Sequence, residues 1–334
     1  MKIALREGIA EFFDEIEKDI KATSIRKASR TFLERHPEYD EYSPNTVREY
    51  IIDHKANPKL YEATENRTPD LSGDFNFTKI DIPSSWAISK PQYPLNGFKN
   101  LGIISDLHIP YHDHNAIAAA LTELKKRDID ALLINGDLMD FKSICHHLSR
   151  ERIGFSTIAE ELAIGRKFLT ELRKFFPSIP IFLKEGNHEV WLTLAINKRP
   201  QLASLDGQNL ESQLKLKDYD INFIPEWQVI RYGKLSIIHG HEVRLTGVTP
   251  ARSLWLKTYD NCLAGHVHRQ HSYSVKSIDR DVYGCWTTGC LADLYPAYAG
   301  ANPQAEHGCA RVQILDDDGM FHVELIRIYN GRVI

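Results

Sequence analysis

Five short polar motifs, each directly after a short apolar run, constrain the fold of this chain more than any other feature. The motifs are Asp106-Leu107-His108, Asn135-Gly136-Asp137, Gly186-Asn187-His188-Glu189, His239-Gly240-His241 and Gly265-His266-Val267-His268. Such apolar runs predict buried strands, and the residues that follow form the loops at their C-terminal ends. Because ligands of open α/β sheets bind outside those ends, we expect the motifs to place Asp, His and Asn side chains around one point.

The composition is that of a globular protein with room for a catalytic domain and a small extra one. The chain has 334 residues, and its net charge of −4 provides no general attraction to nucleic acid or anionic membranes. Its five scattered cysteines form no Cys-x-x-Cys pair, which argues against disulfides or a zinc-thiolate site. Neither a signal peptide nor a membrane-spanning run is recognisable, so we expect no membrane partner and a cytoplasmic location, or the host cytoplasm for a phage-encoded chain.

Residues 1–60 predict a small all-α domain, because apolar residues recur there at helical spacing in three segments. Consecutive helices of this kind also occur in DNA-binding helix-turn-helix domains. The side chains that would then face DNA are Asn45, Thr46, Arg48 and Lys55. However, this region holds 11 Lys/Arg and 12 Asp/Glu, and its second turn is long for that motif. A helical bundle that docks on the rest of the chain or on a partner is the favoured alternative.

Residues 61–98 are rich in Asn, Pro, Ser, Thr and Gly and predict a linker or a wrapping segment. From residue 99 onward, strand-like runs alternate with helical segments, and after about residue 220 short strands predominate, with one helix around Pro250–Thr258. This order predicts an α/β domain over residues 99–334, in which two sheets pack together with helices outside.

The motifs carry side chains suited to metal ions. In Asp-x-His and His-x-His the two side chains are two residues apart, and on an extended backbone they point to the same face. Asp137 follows Gly136, which permits a tight turn, and its carboxylate could bridge two ions. Mixed oxygen and nitrogen donors suit manganese, our first candidate, or iron, zinc or nickel. Each motif alone is often only a turn or a surface loop, but five in order argue against coincidence.

The ordered motif set resembles the calcineurin-like metallophosphoesterases over roughly residues 99–330. The resemblance implies a four-layer α/β/β/α sandwich, here preceded by the small all-α domain, with two divalent metal ions at the sheet ends. One ion would be held by Asp106, His108, Asp137 and His268. The other would be held by Asp137, Asn187, His239 and His266.

The resemblance also implies catalytic roles for the motif residues. Besides Asp137 as the shared ligand, His188 would hydrogen-bond the phosphoryl group and assist the leaving oxygen, with Asn187 beside it. It places the ligand at His239, so that His241 is the second choice. Supporting roles would go to Asp140, His146 and Glu189.

The substrate is less constrained by the sequence. Our leading expectation is a phosphodiesterase that acts on DNA or another nucleic acid, because residues 141–155 include His146, Arg150 and Arg152 with only one acid. One alternative is a phosphomonoesterase or a small- or cyclic-nucleotide phosphodiesterase whose N-terminal helices form a homo-oligomer. Another is a DNA-binding or scaffolding protein with a structural metal site. Gly289-Cys290-Leu291 and Tyr295-Pro296-Ala297-Tyr298 look like features of phage and prophage members of the family, whose substrates are unassigned.

Overall fold

In the computed structural model the chain divides into two compact units, residues 1–89 and 90–334. The structure describes residues 9, 11–39, 42–56, 87, 91–144, 157–199, 201, 207–278, 281–295 and 304–334. Most of the predicted linker, residues 61–98, lies outside these ranges. The division of the chain at residues 60 and 98 therefore stays a prediction.

The first unit is helical in its described part. Its helices are α1 (Phe13–Ala22), α2 (Ile25–Arg35) and α3 (Pro44–Ala56). Ile16, Phe32, Val47 and Ile51 on these helices form a buried core together with Ile9, which precedes α1. A 3-10 turn, Pro37–Tyr39, separates α2 from α3, so the connection is longer than the tight turn of a helix-turn-helix.

The second unit contains two β-sheets. Its described strands are β1 (Tyr93–Pro94), β2 (Asn100–Ile104), β3 (Ala131–Asn135), β4 (Ile181–Lys184), β5 (Ile221–Ile224), β6 (Ile230–Tyr232), β7 (Leu235–Ile237), β8 (Cys262–Ala264), β9 (Gln270–Lys276), β10 (Val282–Thr288), β11 (His307–Ile314), β12 (Phe321–Tyr329) and β13 (Arg332–Val333). The seven-stranded sheet has the order β13-β12-β11-β2-β3-β4-β5, and the six-stranded sheet has the order β1-β6-β7-β8-β10-β9.

Parallel pairing places the motifs at common sheet edges. In the seven-stranded sheet, β2 to β5 are all parallel, with Leu101 opposite Ala131 and Leu132 opposite Ile181. In the six-stranded sheet, β7 and β8 are parallel. Since parallel strands end at the same edge, the loops after β2, β3 and β4 are neighbours, and so are those after β7 and β8.

Three apolar cores separate four layers. Helices α4 (His114–Lys126), α5 (Ile158–Phe175), α6 (Asn187–Asn197) and α7 (Leu210–Leu214) cover the outer face of the seven-stranded sheet, whereas α8 (Pro250–Thr258) covers the six-stranded sheet. Along β2 and β3, Ile104 and Ile134 face the helices while Ile103 and Leu133 face the second sheet. The strands are continuously apolar because both faces are buried. The predicted α/β/β/α sandwich is confirmed.

Helix α6 begins directly at Asn187, within a motif that the sequence analysis placed in the loop after a strand. Among the described residues, every helix is too short or too polar to cross a membrane.

Candidate metal centre

The seven-stranded sheet supplies the first half of the candidate site. Asp106 and His108 follow β2, Asp137 follows β3, and Asn187 and His188 follow β4. Backbone hydrogen bonds join these loops, since the amides of Leu107 and His108 donate to the Asp137 carbonyl over 2.8 and 3.0 Å. The two adjacent loops are therefore held at a fixed spacing.

The six-stranded sheet supplies the second half. His239 follows β7, and His266 and His268 follow β8. The backbone N–H of His266 donates to both carboxylate oxygens of Asp106, at 3.0 and 2.9 Å. This contact connects the loops of the two sheets across the site.

The side chains converge on one region. The ligand atoms lie within 4.8 Å of one another in three overlapping groups: Asp106 with His108 and His268, His108 with Asp137 and His188, and Asp137 with His239 and His266. The amide oxygen of Asn187 lies 3.2 Å from His239 Nε2. All seven predicted ligands thus meet, together with His188. Their division between two ions stays a prediction.

Hydrogen bonds fix the orientation of the imidazole rings. Nδ1 of His239 lies 2.7 Å from the Asn135 carbonyl, and Nδ1 of His188 lies 2.7 Å from the Asp140 carbonyl. A carbonyl only accepts, so each Nδ1 carries the proton. Nδ1 of His108 lies 3.0 Å from the Asp140 carboxylate. These partners leave the Nε2 atoms directed at the centre, which is the usual arrangement around metal-binding histidines.

The charges of the site require compensation. Burial alone would raise the pKa of Asp106, but the hydrogen bond from His268 and the charge of His239 lower it to about 2. Burial lowers the pKa of His239, yet the neighbouring Asp137 carboxylate raises it to about 10. The buried carboxylates of Asp106 and Asp137 therefore favour protonation of the neighbouring imidazoles. A divalent cation bound at the same place would displace these protons. Together with the Asn187 amide, this donor set fits manganese, iron, zinc or nickel.

The backbone of the metal motifs is not extended, so the expectation that residues two apart share a strand face was wrong. The φ angles are +56° at Asp106, +51° at His108, +68° at His266, +54° at His268 and +50° at Asp137. This left-handed region is disfavoured for residues with a Cβ, although Asp and His tolerate it better than most. The interactions above hold the chain in it, as is common where strain serves a site.

Gly136 is required by the close approach of the two sheets. Its φ is +85°, and a Cβ at this position would lie 2.3 Å from His239 Nδ1. Only glycine lets β3 turn into Asp137 while His239 lies against it.

Glu189 supports the loops after β3 and β4. The side chain is fully buried, and its Oε2 accepts the N–H groups of Gly186 at 2.9 Å and Asp137 at 3.0 Å, while Oε1 accepts that of Met139 at 2.8 Å. Burial and the charge of Asp137 raise the pKa of Glu189 to about 8. Glu189 thus connects two loops that lie about fifty residues apart.

Lys184 and Glu242 were missed by the sequence analysis. Lys184 ends β4, is fully buried, and pairs with Glu242 Oε1 at 3.1 Å. Glu242 accepts the N–H groups of His239 at 3.0 Å and of Gly240 at 2.6 Å. The one available signal was a lysine directly after the apolar run Ile-Phe-Leu. The pair holds the loop that carries His239.

The remaining predicted residues occupy different places. His241 lies outside the three groups, and its Nε2 is 3.3 Å from Glu226 Oε1. Asp140 is buried beside His108 and His188. The predicted substrate residues His146, Arg150 and Arg152 lie outside the described residues.

Comparisons with known proteins agree with this geometry. A family model for calcineurin-like phosphoesterases matches residues 99–294. Gene 54 protein of Mycobacterium phage D29 is 27% identical over 250 residues, which cover 70% of this chain and 95% of that protein. Gene 54 protein of Mycobacterium phage L5 is 27% identical over 183 residues, covering 52% of this chain and 70% of that protein.

Matches to solved structures were also found. A single mutant of Vps29 from Entamoeba histolytica is 15% identical with a TM-score of 0.36, covering 70% of this chain and 96% of that one. The phosphoesterase YfcE of E. coli is 14% identical with a TM-score of 0.32, covering 69% of this chain and 100% of that one.

The family match begins just before β2, spans more than half of the chain and includes all five motifs. The protein therefore belongs to the calcineurin-like phosphoesterase family of dinuclear, metal-dependent hydrolases.

Proposed function

We propose that this protein hydrolyses phosphodiester bonds in DNA, another nucleic acid or a nucleotide, with two divalent ions, manganese first. The observation that carries the proposal is the convergence of two groups of possible ligands that share Asp137, one of which contains His188. One ion would be bound by Asp106, His108, Asp137 and His268, and the other by Asp137, Asn187, His239 and His266. When bound, such ions polarise the phosphoryl oxygens and lower the pKa of a bound water.

His188 would assist the leaving group. Its side chain is 18% exposed, its ring lies 3.9 Å from that of Trp191, and Nδ1 is fixed by the Asp140 carbonyl. Nε2 therefore faces the centre, 4.0 Å from Asp137 Oδ2. Alkoxides, the leaving groups of nucleic acids, depart poorly without a proton. In this proposal the ring acts as an imidazolium that keeps Nδ1–H on the Asp140 carbonyl. Its second proton, on Nε2, is donated to a phosphoryl oxygen and then transferred to the departing oxygen, which leaves the neutral imidazole.

The charge of one neighbouring segment supports a polyanionic substrate. Residues 244–258 contain Arg244, Arg252 and Lys257 and no acid, although the whole chain has a net charge of −4. Arg244 and Arg252 are exposed. The segment follows the His239 loop and precedes His266, so it lies along the chain between ligands of the centre. A positive segment in this position favours binding of a phosphate backbone.

The test compares bis(p-nitrophenyl) phosphate with p-nitrophenyl phosphate, each with added Mn²⁺ and with chelator. We expect turnover of the diester that is lost with chelator and in Asp137→Asn. In His188→Ala we expect turnover to fall by about 10²–10⁴-fold while bound metal, measured by elemental analysis, is retained. A matched control is His271→Ala, a histidine on β9 that belongs to none of the three groups.

The other outcomes separate the alternatives. Turnover of the monoester alone would replace the proposal with a phosphomonoesterase. No turnover with either substrate, together with tight DNA binding, would favour a DNA-binding protein with a structural metal site. The cytoplasmic location, DNA binding by α3 and homo-oligomer formation through the N-terminal helices stay predictions.

A further inference from the structure

A cavity lies against the candidate metal centre on the side of the six-stranded sheet. Its volume is about 280 Å³, and His266 forms part of its wall. His266 also belongs to the group with Asp137 and His239. The cavity and the candidate centre therefore meet at His266. The volume, near the lower limit of roughly 300–1,000 Å³ for small-molecule sites, suits a single nucleoside-sized group.

The cavity wall combines apolar and polar surfaces. Leu245, Pro250 and Val267 supply the apolar part, and Thr246 and Gln304 supply hydrogen-bonding groups. Leu245 is 1% exposed and packs in the core beneath α8, so this wall is anchored on the fold. An apolar wall with a few polar groups fits the flat ring and the sugar of a nucleoside.

Arg269 is the only Lys or Arg among the described residues that line the cavity, and none of those residues is acidic. Its Nη1 donates to the Val248 carbonyl at 2.5 Å and its Nε to the Gln304 carbonyl at 3.4 Å. These contacts fix the guanidinium between two loops, so little side-chain entropy is lost when it binds an anion. A fixed arginine with no carboxylate in the same cavity favours a phosphate group there.

We infer that this cavity binds the nucleoside next to the scissile phosphodiester, and that Arg269 binds the phosphate on the far side of that nucleoside. The inference rests on the proposed phosphodiesterase function and makes its substrate class specific. The preferred substrate is a nucleotide chain, or a nucleotide with a second phosphate, rather than a simple diester.

The test uses three substrates with the same p-nitrophenol leaving group. They are bis(p-nitrophenyl) phosphate, thymidine 5′-(p-nitrophenyl phosphate), and the latter compound with a 3′-phosphate. Thr246→Trp fills the cavity, and Leu256→Trp places the same indole side chain on the exposed face of α8. Arg269→Gln removes the cation, and Lys276→Gln removes an exposed charge from β9 of the same sheet.

We expect Thr246→Trp to lower kcat/KM for the thymidine substrates, relative to bis(p-nitrophenyl) phosphate, by about tenfold or more. Arg269→Gln should lower kcat/KM for the 3′-phosphorylated substrate by about tenfold or more relative to the unphosphorylated one. Neither control variant should change these ratios. Unchanged ratios in Thr246→Trp and Arg269→Gln would overturn the inference and leave the phosphodiesterase proposal intact.

If no diester is hydrolysed, the proposed function is wrong, and the cavity is then tested separately by measuring nucleotide binding. Titration calorimetry with thymidine 3′,5′-bisphosphate is then performed on chelator-treated protein. Weaker binding in Thr246→Trp and Arg269→Gln than in the controls would support the cavity as a nucleotide site. Equal binding, or none in the wild-type protein, would overturn it.

Discussion

The two sheets contribute different chemistry to the centre. The loops of the seven-stranded sheet supply both aspartates and the asparagine, with His108 and His188, whereas the predicted ligands from the six-stranded sheet are all histidines. Oxygen donors from one sheet thus meet nitrogen donors from the other. The apolar core between the sheets, which includes Leu133 and Ile237, sets their separation. The centre is therefore a property of the interface between the sheets.

The buried glutamates that hold the loops of the two sheets differ as well. Glu189 holds the seven-stranded side through three backbone N–H groups, without a basic partner among the contacts described above. Glu242 holds the six-stranded side through two backbone N–H groups and the buried ion pair with Lys184. Because a buried ion pair is costly to break, the six-stranded side should be the more sensitive to loss of its glutamate.

The largest expected effect comes from the residue common to two of the ligand groups. Asp137→Asn, on the seven-stranded side, should lower kcat by roughly a thousandfold or more, because one charged oxygen donor is lost for two groups. His266→Ala, on the six-stranded side, removes one donor from a single group and should cost less. Steady-state kinetics and Mn²⁺ content by elemental analysis compare the two variants. A greater loss in His266→Ala would contradict a central role for Asp137.

The Lys184–Glu242 pair provides the next largest effect. Glu242→Gln should lower the free energy of unfolding by about 3 kcal/mol, since it leaves the fully buried Lys184 ammonium without its carboxylate. Lys184→Met in the same chain should recover part of that loss, because the uncompensated charge is then removed. Urea denaturation measures both. If the double variant loses more unfolding free energy than the sum of the losses in the two single variants, the broken ion pair is not the cause of the loss in Glu242→Gln.

The fold and the site were predictable to different degrees. Strands β2 and β3 were predictable because burial on both faces makes them continuously apolar, and α8 was predicted with the bounds that the structure shows, since Pro250 favours the first turn of a helix. The ligand side chains were identified because their residue types and order carry the chemistry.

The supports of the site could not be predicted, for two physical reasons. Glu189 contacts Asp137 across 52 residues, and Lys184 meets Glu242 in space, so neither role leaves a local pattern. The left-handed backbone at Asp106 and His108 is locally unfavourable and exists only because tertiary hydrogen bonds hold it. Periodicity reports local preference and burial, and it says nothing of strain imposed from elsewhere in the fold.

Glu189→Gln tests the support of the seven-stranded side. The glutamine side chain has the same shape as that of glutamate. However, its NH₂ group must face a backbone N–H that donates to a carboxylate oxygen in the wild-type protein. We expect a loss of about 2 kcal/mol in the free energy of unfolding, less than for Glu242→Gln. Glu171→Gln, at an exposed position of α5 where the carboxylate contacts only the exposed Lys174 among the contacts described, is the matched control. A cost greater than that of Glu242→Gln would reverse the comparison between the two supports.

The smallest effect concerns the helices that cover the two sheets. The carboxylate of Asp113 caps α4, on the seven-stranded side, by accepting the N–H of Ala116 at 2.8 Å. Thr249 precedes α8, on the six-stranded side, and its side chain makes no capping hydrogen bond. Asp113→Ala should therefore cost about 1 kcal/mol of unfolding free energy, whereas Thr249→Ala should cost close to nothing. Thermal and urea denaturation of the two variants measure the difference. Equal costs would show that α4 draws its stability from its apolar face, which includes Ala120 and Leu124, and that its cap contributes no more than the uncapped start of α8.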